Sequence, residues 1–192
     1  MPRGLFAKRL VDVILSGSAL IALSPCLAAI ALAIKFDSPG PVIFRQTRVG
    51  KDGNFFEILK FRTMRQGTPQ VATDLMLKME QSPITKVGNF LRKSSLDELP
   101  QLVNVLRGDM SLVGPRPALY NQTELTAQRQ AAGALRLLPG ITGWAQVNGR
   151  DELADEVKVA YDKWYCEHWS LILDLHIIVR TVAAVLNRRG AR

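Results

Sequence analysis

Residues 11–34 read VDVILSGSALIALSPCLAAIALAI, an apolar run interrupted mainly by Asp12, small hydroxyl residues and the Ser24-Pro25 step. An α-helix rises about 1.5 Å per residue, so the whole run is long enough to cross a hydrocarbon core of about 30 Å. The part before Pro25 reaches only about 20 Å. The run therefore predicts a membrane segment whose topology depends on Pro25.

Pro25 favours a break in this helix, because its ring removes one helical hydrogen bond and biases Ser24 away from helical geometry. The Ser24 hydroxyl can satisfy a backbone carbonyl that the proline frees. Basic flanks favour the cytoplasm at both ends of the run: Arg3, Lys8 and Arg9 before it, and Lys35, Arg45, Arg48 and Lys51 after it. We predict that residues 1–37 form a re-entrant membrane helix-break-helix. One alternative is a straight spanning helix that tolerates the proline. Another is a signal peptide, but the apolar run continues past Pro25, which disfavours cleavage there.

Composition limits the function classes. The chain has 192 residues, 47% of them hydrophobic, which suits one compact domain without requiring several membrane spans. Its 25 lysines and arginines against 17 acids give a net charge of +8, which suits an anionic membrane surface or phosphorylated substrates. Aromatic residues do not interleave with the basic ones and no nucleic-acid-binding motif occurs, so nucleic acid is not an expected partner. The 2 cysteines lie far apart and give neither a disulfide framework nor paired metal ligands.

Two segments after the membrane run are typical of strands. VIFRQTRV (42–49) and FFEILKFRTM (55–64) flank the turn GKDG, which predicts a β-hairpin. Alternation places Lys60 and Arg62 on one face of the second strand, where they either hold a diphosphate or form a solvated face. Residues 155–186 predict helices with apolar faces, packed in the core or lying at a bilayer interface. We therefore predict that residues 38–192 form a compact catalytic body of α/β class, a helix-rich α+β fold with a small antiparallel hairpin.

Residues 94–117, SSLDELPQLVNVLRGDMSLVGPRP, carry the strongest chemical signal. Asp97 and Glu98 are adjacent carboxylates, which repel one another unless they are solvated or fixed beside cations or a metal. They also fit a helix start, with Ser95 as the cap and Glu98 completing a capping box, or with Asp97 as the cap and Pro100 in the first turn. Both arrangements put the acids near a positive helix end, which favours anions. Capping and catalysis both remain open from these residues alone.

Two further segments supply basic groups. Pro115 and Pro117 restrict Arg116 to an extended backbone and present its planar guanidinium to an anionic or planar ligand. The glycine-rich loop PGITGWAQVNGR (139–150) ends in Arg150. Such loops are common turns, so this loop is not specific by itself.

Five ordered motifs together resemble the small monotopic phosphoglycosyl transferases of the bacterial sugar transferase family over essentially the full chain. They are KRLVDV (8–13) with the Ser24-Pro25 step, FRQTRVGKDGNFFEILKFRTM (44–64), LRKSSLDELPQLVNVLRGDMSLVGPRP (91–117), PGITGWAQVNGR (139–150) and YCEHWSLILDLHII (165–178). The resemblance implies transfer of a phosphosugar from a UDP-sugar to undecaprenyl phosphate, with release of UMP, by a ping-pong mechanism.

In that resemblance Asp97 is the nucleophile, which forms an aspartyl-phosphosugar, and Glu98 is a neighbouring acid/base or orients the phosphates. Mg²⁺, held by Asp97 and by substrate phosphates, would offset negative charge. The implied substrate-binding residues are Lys60, Arg62 and Arg92 for phosphate oxygens, Arg116 with Pro115 and Pro117 for the uridine end, and Arg150 for the substrate pocket.

The resemblance also implies a location on the cytoplasmic leaflet of the bacterial inner membrane, with the catalytic body on the cytoplasmic face, and a role in exopolysaccharide or other glycoconjugate synthesis. A membrane-attached phosphohydrolase and a non-catalytic binder of anionic lipid are the rival functions. The sugar and the oligomeric state are left open by the sequence.

Overall fold

The first helix is longer than the apolar run that predicts it. The computed structural model describes residues 3–68, 83–149 and 153–186. Helix α1 (Arg3–Asp37) has 35 residues with Pro25 inside it, and by length and composition it is apolar enough to cross a membrane. The helix is assigned without interruption through the Ser24-Pro25 step, so its secondary structure shows no break there, and the re-entrant path stays a prediction. The Ser24 hydroxyl donates to the Ile21 carbonyl at 2.8 Å, and this carbonyl is the acceptor that Pro25 leaves unpaired.

Both ends of α1 contact the rest of the protein, whereas its middle does not bury any side chain. Near the first end, Asp12 is buried and accepts a hydrogen bond from the backbone N–H of Leu112 at 3.1 Å. Near the second end, Ile34 is buried in one apolar cluster with Phe61 and Leu91. Residues 17–29 between these ends include no buried side chain. The long helix is therefore attached at two places.

Asp174 attaches the first end of α1 to the C-terminal helices. Its carboxylate forms an ion pair with Lys8 at 2.6 Å and accepts hydrogen bonds from the Tyr165 hydroxyl at 2.6 Å and the Trp169 ring N–H at 3.1 Å. Lys8 and Asp174 are both buried. Because a buried charge is stable only when it is paired and hydrogen-bonded, this network fixes the position of α1 beside the last helix.

The predicted hairpin is confirmed. Strands β1 (Ile43–Val49) and β2 (Phe55–Phe61) pair antiparallel, with Phe44 opposite Lys60. Helix α2 (Lys86–Lys93) and helix α3 (Gln101–Arg107) follow. The Asn104 side chain of α3 accepts a hydrogen bond from Leu59 N–H at 2.9 Å and donates one to the Glu57 carbonyl at 2.7 Å. The amide thus completes the outer edge of β2 and fixes the hairpin against α3.

A second, parallel pair of strands is absent from the sequence-based prediction. Strand β3 (Ser111–Val113) pairs with β4 (Gly140–Thr142), and helix α4 (Thr123–Ala131) lies between them in the chain. The backbones approach closely at Gly140, where a Cβ would collide with the backbone of Gly114. Two three-residue strands leave too little alternation to be recognised in the sequence.

The last three helices complete a helix-rich α+β fold, as predicted. They are α5 (Trp144–Val147), α6 (Asp155–His168) and α7 (Leu171–Leu186). Tyr165 and Ile177 pack with Val113 of β3 in one buried cluster. The opposite side of α7 leaves apolar side chains exposed at helical spacing, namely Ile172, Leu175, Val179 and Val182.

Candidate active site

The acid pair does not cap a helix in either of the two predicted ways. Leu96–Glu98 form a single 3₁₀ turn, and Pro100 directly precedes α3 without any side-chain cap. Ser95 has φ 58°, a left-handed conformation, and follows the last residues of α2. This conformation reverses the chain after α2 and is uncommon for a residue other than glycine or asparagine. The acids therefore occupy a separate turn between two helices.

Two cations bind the Glu98 carboxylate. Its Oε1 atom lies 2.8 Å from Lys60 Nζ and 3.1 Å from Arg116 Nη2. Burial disfavours the charged form of Glu98, but the charges and hydrogen bonds of Lys60 and Arg116 outweigh it, so the pKa of Glu98 lies well below its usual range. Glu98 is therefore a fixed anion that joins β2 to the Pro-Arg-Pro segment.

The neighbouring Asp97 carboxylate is in a different state. It accepts no hydrogen bond and forms no ion pair with any residue in ranges 3–68, 83–149 and 153–186. Burial raises the pKa of Asp97 above its ordinary value, and the Glu98 charge adds to this effect. The charges of Lys60, Arg92 and Arg116 act in the opposite direction. Asp97 is thus a partly desolvated carboxylate that faces cations without being bound by one, which suits a nucleophile.

The two other predicted phosphate-binding residues, Arg92 and Arg62, lie in different surroundings. Arg92 lies beside Asp97, and its Nε donates to the Thr63 hydroxyl at 3.0 Å. Arg62 is buried, and its guanidinium donates to the carbonyls of Ser38 and Pro39 at 2.7 and 2.9 Å. Lys60 and Arg62 therefore do not share a free face, because Arg62 lies beyond the end of β2 and anchors the segment that follows α1.

The Pro-Arg-Pro segment lies between β3 and the bridge residue Leu119 and has no regular secondary structure. Arg116 turns its guanidinium to Glu98, and its side chain keeps 38% of its surface exposed. Pro115 and Pro117 line a small cleft together with Leu135. Arg150 lies outside the described residues.

Within the described ranges, the donor set suits a metal ion that the substrate also binds. No group of three potential ligands among His, Cys, Asp and Glu occurs in the part of the chain that the structure describes. Glu98 is occupied by two cations, so Asp97 is the one carboxylate of the pair that is available as a ligand. Mg²⁺ is commonly bound by one or two carboxylates together with substrate phosphates, and the site fits that arrangement.

Sequence reasoning missed two groups of residues at this site. Asn104, which supports β2 next to Lys60, lies with Gln101 on the buried side of α3, and an amide among the apolar residues of that helix was the signal that could have found it. Arg129 and Asp162 form a buried ion pair behind Arg116. They gave no signal, because Arg129 lies in a mostly polar helix, Asp162 lies in a helix with several other charged residues, and nothing in the spacing marks either as buried.

The fold and site thus combine a helix-rich α+β body, one long apolar helix and an acid pair among cations. Residues 3–188 match the family model described as bacterial sugar transferase. The chain belongs to the bacterial sugar transferase family.

Curated relatives agree with this assignment. UDP-glucose:undecaprenyl-phosphate glucose-1-phosphate transferase of Escherichia coli (strain K12) is 46% identical over 183 residues, which cover 91% of this chain and 39% of that protein. Exopolysaccharide production protein ExoY of Sinorhizobium fredii is 39% identical over 204 residues, covering 99% of this chain and 90% of that protein. UDP-galactose-lipid carrier transferase of Erwinia amylovora is 38% identical, with 97% and 42% covered. The chain thus spans less than half of two of these relatives and nearly all of the third.

Proposed function

We propose that this protein transfers a phosphosugar from a UDP-sugar to undecaprenyl phosphate, giving undecaprenyl-diphosphate-sugar and UMP. The names of the relatives support the donor and the acceptor. One observation within the site carries the proposal: of two adjacent carboxylates, Glu98 is bound by Lys60 and Arg116, whereas Asp97 has no such partner in the described ranges. Glu98 fixes the positions of the two cations, and Asp97 is available to react.

In the first half-reaction, an Asp97 carboxylate oxygen attacks the β-phosphorus of the UDP-sugar. A bond forms between this oxygen and phosphorus, the bond from the same phosphorus to the bridging oxygen breaks, and UMP leaves with that oxygen. The product is an aspartyl-phosphosugar. In the second half-reaction, a phosphate oxygen of undecaprenyl phosphate attacks the same phosphorus, and Asp97 is released as a carboxylate. Covalent catalysis thereby divides one transfer between two anions into two steps.

The cations of the site oppose the charge repulsion in both steps. Lys60, Arg92 and Arg116 approach the acid pair from three different elements, and they are the groups that we assign to the diphosphate oxygens. When Mg²⁺ is bound, Asp97 and the substrate phosphates would hold it, and it would supply further neutralisation of negative charge. Arg62 is not among these groups, because Ser38 and Pro39 occupy its guanidinium. A substrate role for Arg150 stays a prediction.

The exposed guanidinium of Arg116 supports the uridine end of the donor at this residue, because 38% of the side-chain surface is accessible. A planar base can stack on a guanidinium plane. The cleft lined by Pro115, Pro117 and Leu135 is too small to hold a base by itself. We therefore infer that the nucleotide lies along the Pro-Arg-Pro segment, with its phosphates at the acid pair.

The attachments of α1 support a re-entrant, monotopic membrane segment on the cytoplasmic leaflet. Asp12 and Asp37, near opposite ends of the helix, each accept a backbone hydrogen bond from the same body, at 3.1 and 3.0 Å. The apolar middle of the helix is left to face lipid. This arrangement would hold the site at the depth of the lipid phosphate.

We expect replacement of Pro25 by alanine to favour a straight, spanning helix, because it restores the hydrogen bond to the Ile21 carbonyl. Tags at the two termini should be labelled from the same side of the membrane in the native protein. In the Pro25→Ala variant a fraction of molecules should show the N-terminal tag on the opposite side. Native tags that label from opposite sides would contradict the re-entrant proposal.

The charge environment of Asp97 predicts two opposite shifts in pH dependence. Asp97 reacts as a carboxylate, so activity is lost as the pH falls through its pKa. Glu98→Gln removes an anion that raises this pKa, and the acidic limb should move to lower pH; Lys60→Met removes a cation, and the limb should move to higher pH. The acidic limb is measured as the rate of single-turnover UMP release at different pH values. Undecaprenyl phosphate is left out, because its own phosphate would titrate in the same range. Shifts in the same direction would refute Asp97 as the titrating group.

The proposed reaction is tested by UMP release from a panel of UDP-sugars with detergent-solubilised protein, with and without undecaprenyl phosphate, in Mg²⁺ and in chelator. UDP-glucose and UDP-galactose come first, since the relatives are named for them. We expect sustained, Mg²⁺-dependent release only with the lipid phosphate and formation of a lipid-linked sugar. Release of free sugar phosphate that is independent of the lipid would instead indicate a phosphohydrolase.

A further inference from the structure

Every backbone carbonyl of the Pro-Arg-Pro segment has a donor from another part of the fold. The Pro115 carbonyl accepts from Gly140 N–H at 2.9 Å. The Pro117 carbonyl accepts from the Arg48 guanidinium at 3.2 Å, and the central Arg116 carbonyl accepts from Arg129 Nη1 at 2.8 Å. Because Pro115 and Pro117 have no N–H, these carbonyls supply three of the four backbone hydrogen-bonding groups of the segment.

The donor to Arg116 is itself held by a buried anion. Arg129 of α4 forms an ion pair with Asp162 of α6 at 2.7 Å, and their side chains are only 4% and 2% exposed. Burial raises the pKa of Asp162, and the Arg129 charge opposes this effect. Removing two charges from water is costly, and apolar residues of similar volume often serve stability as well. The pair therefore needs a reason beyond stability.

That reason is the shape of the guanidinium group. Its planar fork lets Arg129 place Nη2 in the ion pair with Asp162, 2.7 Å from Oδ2, while Nη1 donates a hydrogen bond to the Arg116 carbonyl. A lysine has one nitrogen and no fixed plane, so it cannot keep both partners in this geometry. The ion pair thus sets the orientation of Arg129, and Arg129 sets the position of the Arg116 backbone.

We propose that Arg129, oriented by Asp162, is a positioning residue for Arg116, which it holds through the Arg116 carbonyl so that the guanidinium reaches both Glu98 and the donor substrate. The proposal rests on the proposed role of Arg116 in donor binding. It assigns no substrate contact to Arg129 or Asp162, both of which are buried.

A double-mutant cycle tests the proposal. Arg129→Met combined with Asp162→Leu replaces the buried pair by apolar residues and leaves no unpaired charge. We measure kcat and KM for UMP release, together with the thermal midpoint, in the native background and in Arg116→Ala. In the native background the pair replacement should lower kcat/KM about tenfold. In Arg116→Ala, where nothing remains to be positioned, it should change kcat/KM less than about twofold.

Two further variants keep the result interpretable. Leu125→Ala weakens the packing of the same helix without removing the hydrogen bond to Arg116, and its effect should be equal in both backgrounds. If the pair replacement does not fold, Arg129→Lys takes its place in the cycle. We expect it to cause a smaller loss of kcat/KM, which should also disappear in Arg116→Ala.

The outcomes separate the two proposals. Equal losses in both backgrounds would overturn the positioning role and leave the pair a structural element. Full activity of Arg116→Ala would instead refute the role of Arg116 in the proposed function.

Discussion

Replacing Asp97 by asparagine is expected to lower UMP release by at least about ten-thousandfold, because the amide cannot attack phosphorus. Asparagine has nearly the same shape, so Glu98, Lys60 and Arg116 should keep their ion pairs. Steady-state UMP release with undecaprenyl phosphate measures the loss. Near-normal release by Asp97→Asn would refute the assignment of the nucleophile.

Thermal unfolding in detergent provides the control for this variant. Burial raises the folded-state pKa of Asp97, so the folded protein binds this proton more tightly than the unfolded chain. The stability that this group contributes is present at low pH and is lost as the pH rises through its folded pKa. At pH 7 to 8, Asp97→Asn should therefore unfold at the same temperature as the native protein or higher. A lower midpoint would mean that lost activity reflects lost structure.

Replacing Lys60 by methionine is expected to lower kcat/KM by about a hundredfold to a thousandfold. The change removes a cation assigned to the diphosphate, and within the described ranges it leaves the partly buried Glu98 carboxylate with Arg116 as its remaining ion-pair partner. Methionine keeps the apolar stem of the lysine, so the packing of β2 should change little. UMP release over a range of donor concentrations separates the effects on kcat and KM.

Arg45→Met is the matched control on the other strand of the hairpin. Arg45 lies 3.6 Å from Glu57, but the two side chains are 65% and 60% exposed, and such surface pairs contribute little. Its kcat/KM should stay within about twofold of the native value. Equal losses in Arg45→Met and Lys60→Met would show that general positive charge matters rather than the contact with Glu98.

The length of apolar runs, strand alternation and turn residues were sufficient to predict the elements of this fold that depend on local sequence. The length of the apolar run predicted α1, and alternation around a glycine-containing turn predicted the hairpin from β1 to β2. The role of the Ser24 hydroxyl followed from the missing N–H of Pro25. The adjacent acids and the Pro-Arg-Pro segment were found because their residue types are unusual together.

Tertiary contacts determined the rest. The parallel pairing of β3 with β4 joins segments separated by a whole helix, and no periodicity records such a contact. Arg62 was placed with Lys60 by alternation, but the chain leaves β2 at Phe61 and turns Arg62 to Ser38. Arg129 has no local feature that shows its burial. Capping rules failed at Ser95 because its left-handed conformation starts a separate turn before α3.

The central claim is that Asp97 carries the phosphosugar between the two half-reactions. Intact-mass spectrometry of the protein, incubated with Mg²⁺ and its UDP-sugar but without undecaprenyl phosphate, tests it most directly. The account predicts a mass increase of one phosphosugar that maps to the peptide containing Asp97, disappears when undecaprenyl phosphate is added, and does not form in Asp97→Asn. Rapid transfer to the lipid with no adduct at any time of sampling, or an adduct on another residue, would contradict it.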